Sequence, residues 1–116
     1  MSQAKYDLEE RLIEFAVRAI ATTENLPETR ACNHLGGQLL RSSTSTALNY
    51  GEAQAAESTR DFIHKLTVVL KELRESSICL RILKLKKLLK DALLLEENKE
   101  LIAIFTKSVS TAKKSG

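Results

Sequence analysis

The stretch from Ala31 to Ala56 carries almost no charge, because Arg41 and Glu52 are its only ionised residues. At about 100° per residue, its larger polar side chains fall in one narrow sector of a helix. This polar seam consists of Gln38, Arg41, Ser45, Asn49 and Glu52. A water-facing helix of this length normally carries many more charges on its outer face. The stretch therefore predicts a central helix that is covered over most of its circumference inside a packed assembly.

The polar seam allows two interpretations. In the first, it is a structural hydrogen-bond network within or between subunits, in which Arg41 and Glu52 have charge partners. In the second, it lines a groove for a ligand or for the substrate of an enzyme. No glycine-rich phosphate loop or titratable pair accompanies the seam, which favours the structural interpretation.

The composition indicates helices, because the 116 residues include only four glycines and one proline. Apolar periodicity predicts four helices in a single domain spanning 1–116, at about 6–23, 28–52, 59–84 and 90–112. Pro27 separates the first two, and Ser58 with Asp61 resembles a capping box before the third. Short connections between amphipathic helices predict an all-α, up-down-up-down four-helix bundle.

The first predicted helix is apolar over an unusually wide sector. Ile13, Val17 and Ile20 broaden its core-facing stripe to about 200°, whereas a peripheral bundle helix needs only roughly 100°. The excess apolar surface predicts contact with a second surface. Together with the charge-poor central helix, it predicts a homo-oligomer.

Charge is distributed unevenly along the chain. Residues 1–57 have a net charge of −3, and residues 58–116 have a net charge of +6. Residues 81–90 form a basic strip that contains five cations and no acid, namely Arg81, Lys84, Lys86, Lys87 and Lys90. These cations either remain solvated at a helix C-terminus or contact the phosphates of RNA or DNA. In an oligomer, each subunit would add its own set of phosphate contacts. No base-reading motif accompanies the strip, and five aromatic residues are too few for a base-stacking platform.

Catalytic and metal-binding patterns are absent from the sequence. His34 and His64 have no second ligand at metal-binding spacing, and Ser45 lies in no nucleophile motif. Cys32 and Cys79 belong to no CxxC pair, so two packed thiols in a reducing compartment are the favoured interpretation. We therefore expect no enzymatic activity, metal, cofactor or small-molecule substrate.

Targeting and membrane signals are also absent. The first ten residues lack a basic region followed by an apolar one, and the longest apolar run is only the five residues from Leu101 to Phe105. These features predict a cytoplasmic protein with no membrane contact.

The polar seam is similar to a motif of the four-helix-bundle family called 23S rRNA-intervening sequence proteins, approximately Q-L-x-R-A-x-x-S-[IV]-P-x-N-I-x-E-[GA]. Gln38-Leu39-Leu40-Arg41, Ser45, Asn49 and Glu52-Ala53 match it in register. Ser58 with Asp61-Phe62, residues 71–76 and residues 95–113 resemble the later helices of the family. Thr46-Ala47-Leu48 departs from the apolar residue, proline and small residue that the family often has there.

The resemblance implies a bacterial all-helical bundle that often forms a homopentamer and is sometimes encoded within insertions in ribosomal RNA genes. It implies no defined molecular role for the family. Related accessory proteins of diversity-generating retroelements bind nucleic acid and a reverse transcriptase. A self-associating interaction or scaffold protein is therefore expected, with a purely structural or protein-binding oligomer as the alternative.

Overall fold

Four helices make up the fold. The computed structural model describes the backbone of residues 3–115 and the side chains of residues 8–115. The helices are α1 (Gln3–Glu24), α2 (Arg30–Gln54), α3 (Thr59–Leu85) and α4 (Leu94–Ser115), and residues 3–115 contain no strand. The predicted all-α class is confirmed. Met1, Ser2 and Gly116 of the predicted domain lie outside the described backbone.

Neighbouring helices run in opposite directions. α1 packs against α2 and α4, and α3 packs against the same two helices, so α1 and α3 lie on a diagonal. Arg11 of α1 pairs with Glu97 of α4, whereas Arg18, two turns later, pairs with Asp91 just before α4. As the residue number rises along α1, the residue number of the partner near α4 falls. The two helices are therefore antiparallel. The arrangement is that of an up-down bundle.

All four helices contribute to one core. Its largest fully buried side chains are Leu12 and Phe15 from α1, Leu39 from α2, Leu73, Leu80 and Leu83 from α3, and Leu94, Leu101 and Phe105 from α4. The ring of Tyr50 meets that of Phe105 edge to face, with centroids 5.5 Å apart. Ile13 and Val17 lie outside this core, with 43% and 58% of their surface exposed. The wide apolar sector of α1 is therefore only partly used within one chain.

Helix α2 approaches its neighbours through small residues. Ser42, Ser43 and Thr46 are buried, and the Ser42 hydroxyl lies 2.7 Å from that of Ser76 on α3. The Thr46 hydroxyl donates to the Ser43 carbonyl at 2.7 Å, which satisfies it inside its own helix as its spacing predicts. On the side of α1, Gly36 is buried beside Thr23 and Leu26, and a β-carbon built on it would meet Leu26 at 3.5 Å, an ordinary contact distance. These short side chains let α2 sit close to both flanking segments.

The outer side of α2 is open to solvent. Gly37, Leu40 and Leu48 are exposed, and no atom of the described chain lies within 4 Å of a β-carbon built on Gly37 or Gly51. A single chain thus does not cover this helix. The predicted coverage would require a partner molecule.

Three helix starts differ from the sequence-based expectation. The first was expected from about residue 6, but α1 begins at Gln3. The second helix was expected from about residue 28, but Thr29 is extended and caps α2 by accepting a hydrogen bond from the Cys32 amide, so the helix begins at Arg30. The fourth was expected from about residue 90, but α4 begins at Leu94. By contrast, Ser58 caps α3 as predicted, accepting from the Asp61 amide at 3.0 Å.

The late start of α4 follows from how α3 ends. Lys87 has a φ of 61°, in the left-handed region that only glycine adopts without strain. The Leu88 amide donates to the Leu83 carbonyl, and the Lys87 amide donates to the Lys84 carbonyl. These two bonds form a Schellman motif without its usual glycine. The chain therefore turns after Lys86 and needs several residues before it can start another helix.

Replacing Lys87 with glycine should stabilise the fold. Lys87→Gly removes the left-handed strain of a residue with a β-carbon, so we expect the free energy of unfolding to rise by about 1 kcal/mol. Urea denaturation measures this change. Lys86→Gly is the matched control, because Lys86 has a right-handed φ of −81° and should not be stabilised by glycine. Equal effects of both substitutions would contradict this account.

The start of α4 is tied to α1 through Asp91. The Arg18 guanidinium donates two hydrogen bonds of 2.8 Å to this carboxylate. The pKa of Asp91 is lowered below its usual value, first by the Arg18 hydrogen bond and also by the amides of Leu93 and Leu94. Asp91 therefore holds the segment that leads into α4 against α1, and its negative charge lies near the N-terminal end of α4.

Asp91→Asn should destabilise the fold by about 1 kcal/mol at pH 7. Because the folded state lowers the pKa of Asp91, its stabilising effect is complete above the unfolded pKa of about 3.9. This effect is lost as the pH falls through the folded value. Urea midpoints of wild type and variant should therefore converge in acid, and Arg18→Gln should show the same convergence. A pH-independent difference between wild type and Asp91→Asn would contradict the prediction.

Candidate nucleic-acid interface

The basic strip lies where α3 ends and the chain turns toward α4. All five cations, Arg81, Lys84, Lys86, Lys87 and Lys90, are exposed. None forms an ion pair with a described side chain. The nearest acid in sequence, Asp91, is already engaged by Arg18. The strip therefore presents uncompensated positive charge, and the C-terminal end of the α3 dipole favours its placement there.

The cationic surface extends beyond the predicted strip. Lys71 and Arg74 are exposed on α3 and lack ion-pair partners among the described side chains. With Arg81 they lie on the outer face of that helix, a relation that helical spacing alone could have revealed. Exposed apolar residues are interspersed, including Leu85, which is 84% exposed. The surface thus combines cations with apolar side chains.

The polar seam runs along the flank of α2 beside α3, but it does not form one continuous network. Gln38, Arg41 and Glu52 are exposed, and Ser45 and Asn49 are half-buried. Asn49 donates to the Ser45 carbonyl of its own helix at 2.9 Å. Gln38 and the Ser45 hydroxyl form no side-chain hydrogen bond in the described part of the chain. Two of the five seam residues therefore reach α3, and both do so through ion pairs.

Arg41 and Glu52 find separate partners on α3. The Arg41 guanidinium contacts Glu72 at 3.1 Å and also binds Glu75, whereas Lys65 donates to Glu52 at 2.6 Å. The Glu75 hydrogen bond, followed by the charge of Glu72, raises the pKa of Arg41. Both glutamates are identifiable in the sequence of α3. Their pairing with Arg41 depends on how α2 and α3 are aligned, which periodicity does not reveal.

Residues considered for catalysis or metal binding do not come together. His34 and His64 are exposed, and the side chains of residues 8–115 include no group of three potential metal ligands. Cys32 and Cys79 are buried and unbonded, and burial raises the pKa of the Cys79 thiol. A raised thiol pKa disfavours the reactive thiolate. These side chains therefore form no recognisable reaction centre.

One large groove lies at the other end of the bundle from the basic strip. It measures about 590 Å³ and is lined mostly by apolar side chains, among them Leu8, Tyr50, Phe62, Ile104 and Phe105. Burial raises the pKa of the Tyr50 hydroxyl, which keeps this group neutral. No residue of the polar seam or of the basic strip lines the groove. It is thus an apolar groove without a cluster of charged groups.

The fold and these sites define an antiparallel four-helix bundle with an exposed basic surface. The model of the 23S rRNA-intervening sequence protein family matches residues 5–109, and the chain belongs to this family. A crystal structure of a protein of unknown function from the S23 ribosomal protein family of Bacteroides thetaiotaomicron is similar at 27% identity. That match covers 91% of this chain and 97% of the other, with a TM-score of 0.82. The search of curated proteins gives no match.

No helix within residues 3–115 has an apolar stretch long enough to cross a bilayer. The described helices therefore contain no candidate membrane span.

Arg41→Ala should weaken the α2–α3 contact. The side chain of Glu72 is only 11% exposed, so it would lose its cation in a mostly dry position, whereas Arg41 itself is half exposed. We expect a loss of about 1–2 kcal/mol in unfolding free energy, between the values typical of surface and buried pairs. Chemical denaturation measures the loss. Gln38→Ala is the control, because Gln38 is exposed on the same flank.

The pairing can be tested further in a double variant. Glu72→Gln added to Arg41→Ala should cost less than the sum of the two single losses, because the two side chains interact directly. Strict additivity, or a silent Arg41→Ala, would show that the ion pair does not stabilise the fold.

Proposed function

We propose that this protein is a non-enzymatic, cytoplasmic interaction or scaffold protein that assembles into a homo-oligomer, a pentamer, and binds RNA or DNA. Its basic strip contacts the phosphodiester backbone. The observation that carries this proposal is the set of five exposed cations between Arg81 and Lys90, none of which has an acidic partner among the described side chains.

The chemistry of the basic strip supports a backbone contact without base reading. Lys and Arg bind phosphates through charge, and each contact releases a counterion, so affinity depends steeply on salt. The strip contains no aromatic side chain that could stack on a base. Repetition of five cations on every subunit of a ring would convert a weak local contact into a multivalent one.

Two observations support self-association. Large apolar side chains are exposed on adjacent helices, including Ile13 and Val17 of α1 and Leu40 and Leu48 of α2. The exposed side of α2 is also nearly free of charge, which is typical of surfaces that another protein covers.

Two buried, unbonded thiols agree with a reducing compartment such as the cytoplasm.

The proposal predicts salt-sensitive binding of a short RNA by an oligomer. Light scattering should give the mass of five subunits, and the RNA should co-elute at low salt and dissociate at high salt. Removal of three strip cations in Lys86→Ala, Lys87→Asn, Lys90→Ala should reduce the slope of log affinity against log salt by about 1 for each phosphate that the variant no longer binds. Asparagine is chosen at position 87 because it tolerates the left-handed backbone there.

A matched variant separates the strip from general charge. Lys99→Ala with Lys107→Ala removes exposed cations of α4 and should leave the salt slope nearly unchanged. A stable oligomer that ignores RNA and DNA at every salt concentration would refute the nucleic-acid role and leave a protein-binding oligomer. A monomer would refute the scaffold itself.

A further inference from the structure

The outer faces of α1 and α3 carry opposite charges around similar apolar side chains. On α1, the exposed Ile13 and Val17 are accompanied by the exposed acids Glu10, Glu14 and Glu24. We call these five residues the acidic face. None of its three acids has an ion-pair partner among the described side chains.

The acidic face exists because α1 uses its cations inside the fold. Arg11 binds Glu97 and Glu100, and Arg18 binds Asp91. Both arginines therefore point toward α4. Since no other cation occurs in the described side chains of α1, its outward surface has only acids left to border Ile13 and Val17.

On α3, ion pairs within the fold engage the acids rather than the cations. Glu72 and Glu75 both bind Arg41 of α2, which offsets one of their two charges, so the outer cations of α3 still leave this surface positive. The remaining outward surface, which we call the basic face, contains the exposed residues Lys71, Arg74, Ile78, Arg81, Ile82 and Leu85. The other acid of α3, Asp61, is in its first turn, about 15 Å along the axis from Lys71.

The basic face also offers a receptor for an apolar side chain. Leu70, Lys71, Arg74 and Ile78 line a shallow depression with Thr67 and Glu75, and its surface is almost entirely apolar because Glu75 binds Arg41. The aliphatic stems of Lys71 and Arg74 form part of its wall while their charged ends remain in water. An isoleucine or valine with acidic neighbours fits such a site in both polarity and charge.

We infer that the acidic face of one copy docks on the basic face of the next copy, head to tail. This inference rests on the self-association proposed above and specifies its surfaces. α1 and α3 are on a diagonal of the bundle and do not pack against each other, so each copy presents both faces at once. A heterologous contact of this kind generates a ring or a filament.

Some of the apolar residues lie toward α2. Ile82 follows Glu75 by two helical turns and so lies on the flank of α3 beside α2. Ile20, which continues the row of Ile13, lies within one turn of Thr23, and Thr23 lies next to Gly36 of α2. A contact that includes these side chains rotates successive copies relative to one another, and the assembly is a ring where that rotation closes.

In this assembly, the cations of α3 and of the following turn have two different roles. Lys71, Arg74 and Arg81 border the subunit contact. Lys84 lies on the flank of α3 toward α4, and Lys86, Lys87 and Lys90 follow the helix end. These four lysines remain accessible in the assembly and are free for phosphates.

Two complementary blocking variants test the contact. Val17→Asp disables the acidic face, and Ile78→Asp disables the basic face. Both positions are more than half exposed, so circular dichroism should show unchanged helix content. In sedimentation velocity at about 100 µM each variant should be a monomer, and an equimolar mixture should form a one-to-one dimer. The dimer forms because each variant retains the face that is disabled in the other.

Charge reversal supplies a second measurement. Glu14→Lys and Arg74→Glu should each lower the assembly mass, and the chain carrying both should recover it because both faces are reversed together. Leu93→Asp, which introduces the same charge at an exposed apolar position outside both faces, should leave the mass unchanged.

The outcomes distinguish this inference from the proposed function. A monomeric wild type would overturn both. An oligomeric wild type whose mass survives Val17→Asp and Ile78→Asp, or whose two variants fail to combine, would overturn the face assignment while self-association stands. Dimers formed by either variant alone would indicate an isologous interface and would also refute the inference.

Discussion

The contact between α2 and α3 depends on a balance between small buried hydroxyls and ion pairs at its edge. Ser42 and Ser76 share a hydrogen bond at the centre of the contact, where neither side chain needs water. Larger residues would hold the helices apart and move Arg41 away from Glu72. Ion pairs at two levels, Arg41–Glu72 and Glu52–Lys65, then align the helices along their length. Small hydroxyl residues therefore set the distance between α2 and α3, and ion pairs set their alignment along the helix axis.

A second polar element lies deeper in the bundle. Asn98 of α4 is completely buried, and its amide donates to the Leu73 carbonyl of α3 at 3.1 Å. Its side-chain oxygen has no hydrogen-bond partner among the described residues. A buried amide that is only half satisfied costs stability, but it also disfavours alignments in which its single bond is broken. α4 is thus aligned by one buried bond to α3 and by the arginines of α1.

The sequence predicted the elements that depend on local spacing and missed those that depend on alignment between helices. Apolar periodicity identified four helices and most core rows, because a buried stripe repeats every three to four residues. Within α2, the Ser43 and Thr46 hydroxyls bond to carbonyls of their own helix, whereas the Ser42 hydroxyl also bonds to Ser76 of α3. The left-handed turn at Lys87 gave no signal, because the residue is not glycine, and the start of α4 was therefore misplaced. The partners of Arg41 lie more than thirty residues away, beyond what helical phase can reveal.

The fold shows which charges of the acidic first half and the basic second half are paired and which remain on the surface. If every acid of the first half met a cation of the second half inside the bundle, only the net charge of +3 would remain outside. Instead, α1 contributes its arginines to α4, and α3 contributes its glutamates to α2. Each exchange satisfies a partly buried charge and leaves the opposite sign outside. The ion pairs that hold one subunit together therefore also determine which surfaces of the bundle remain charged.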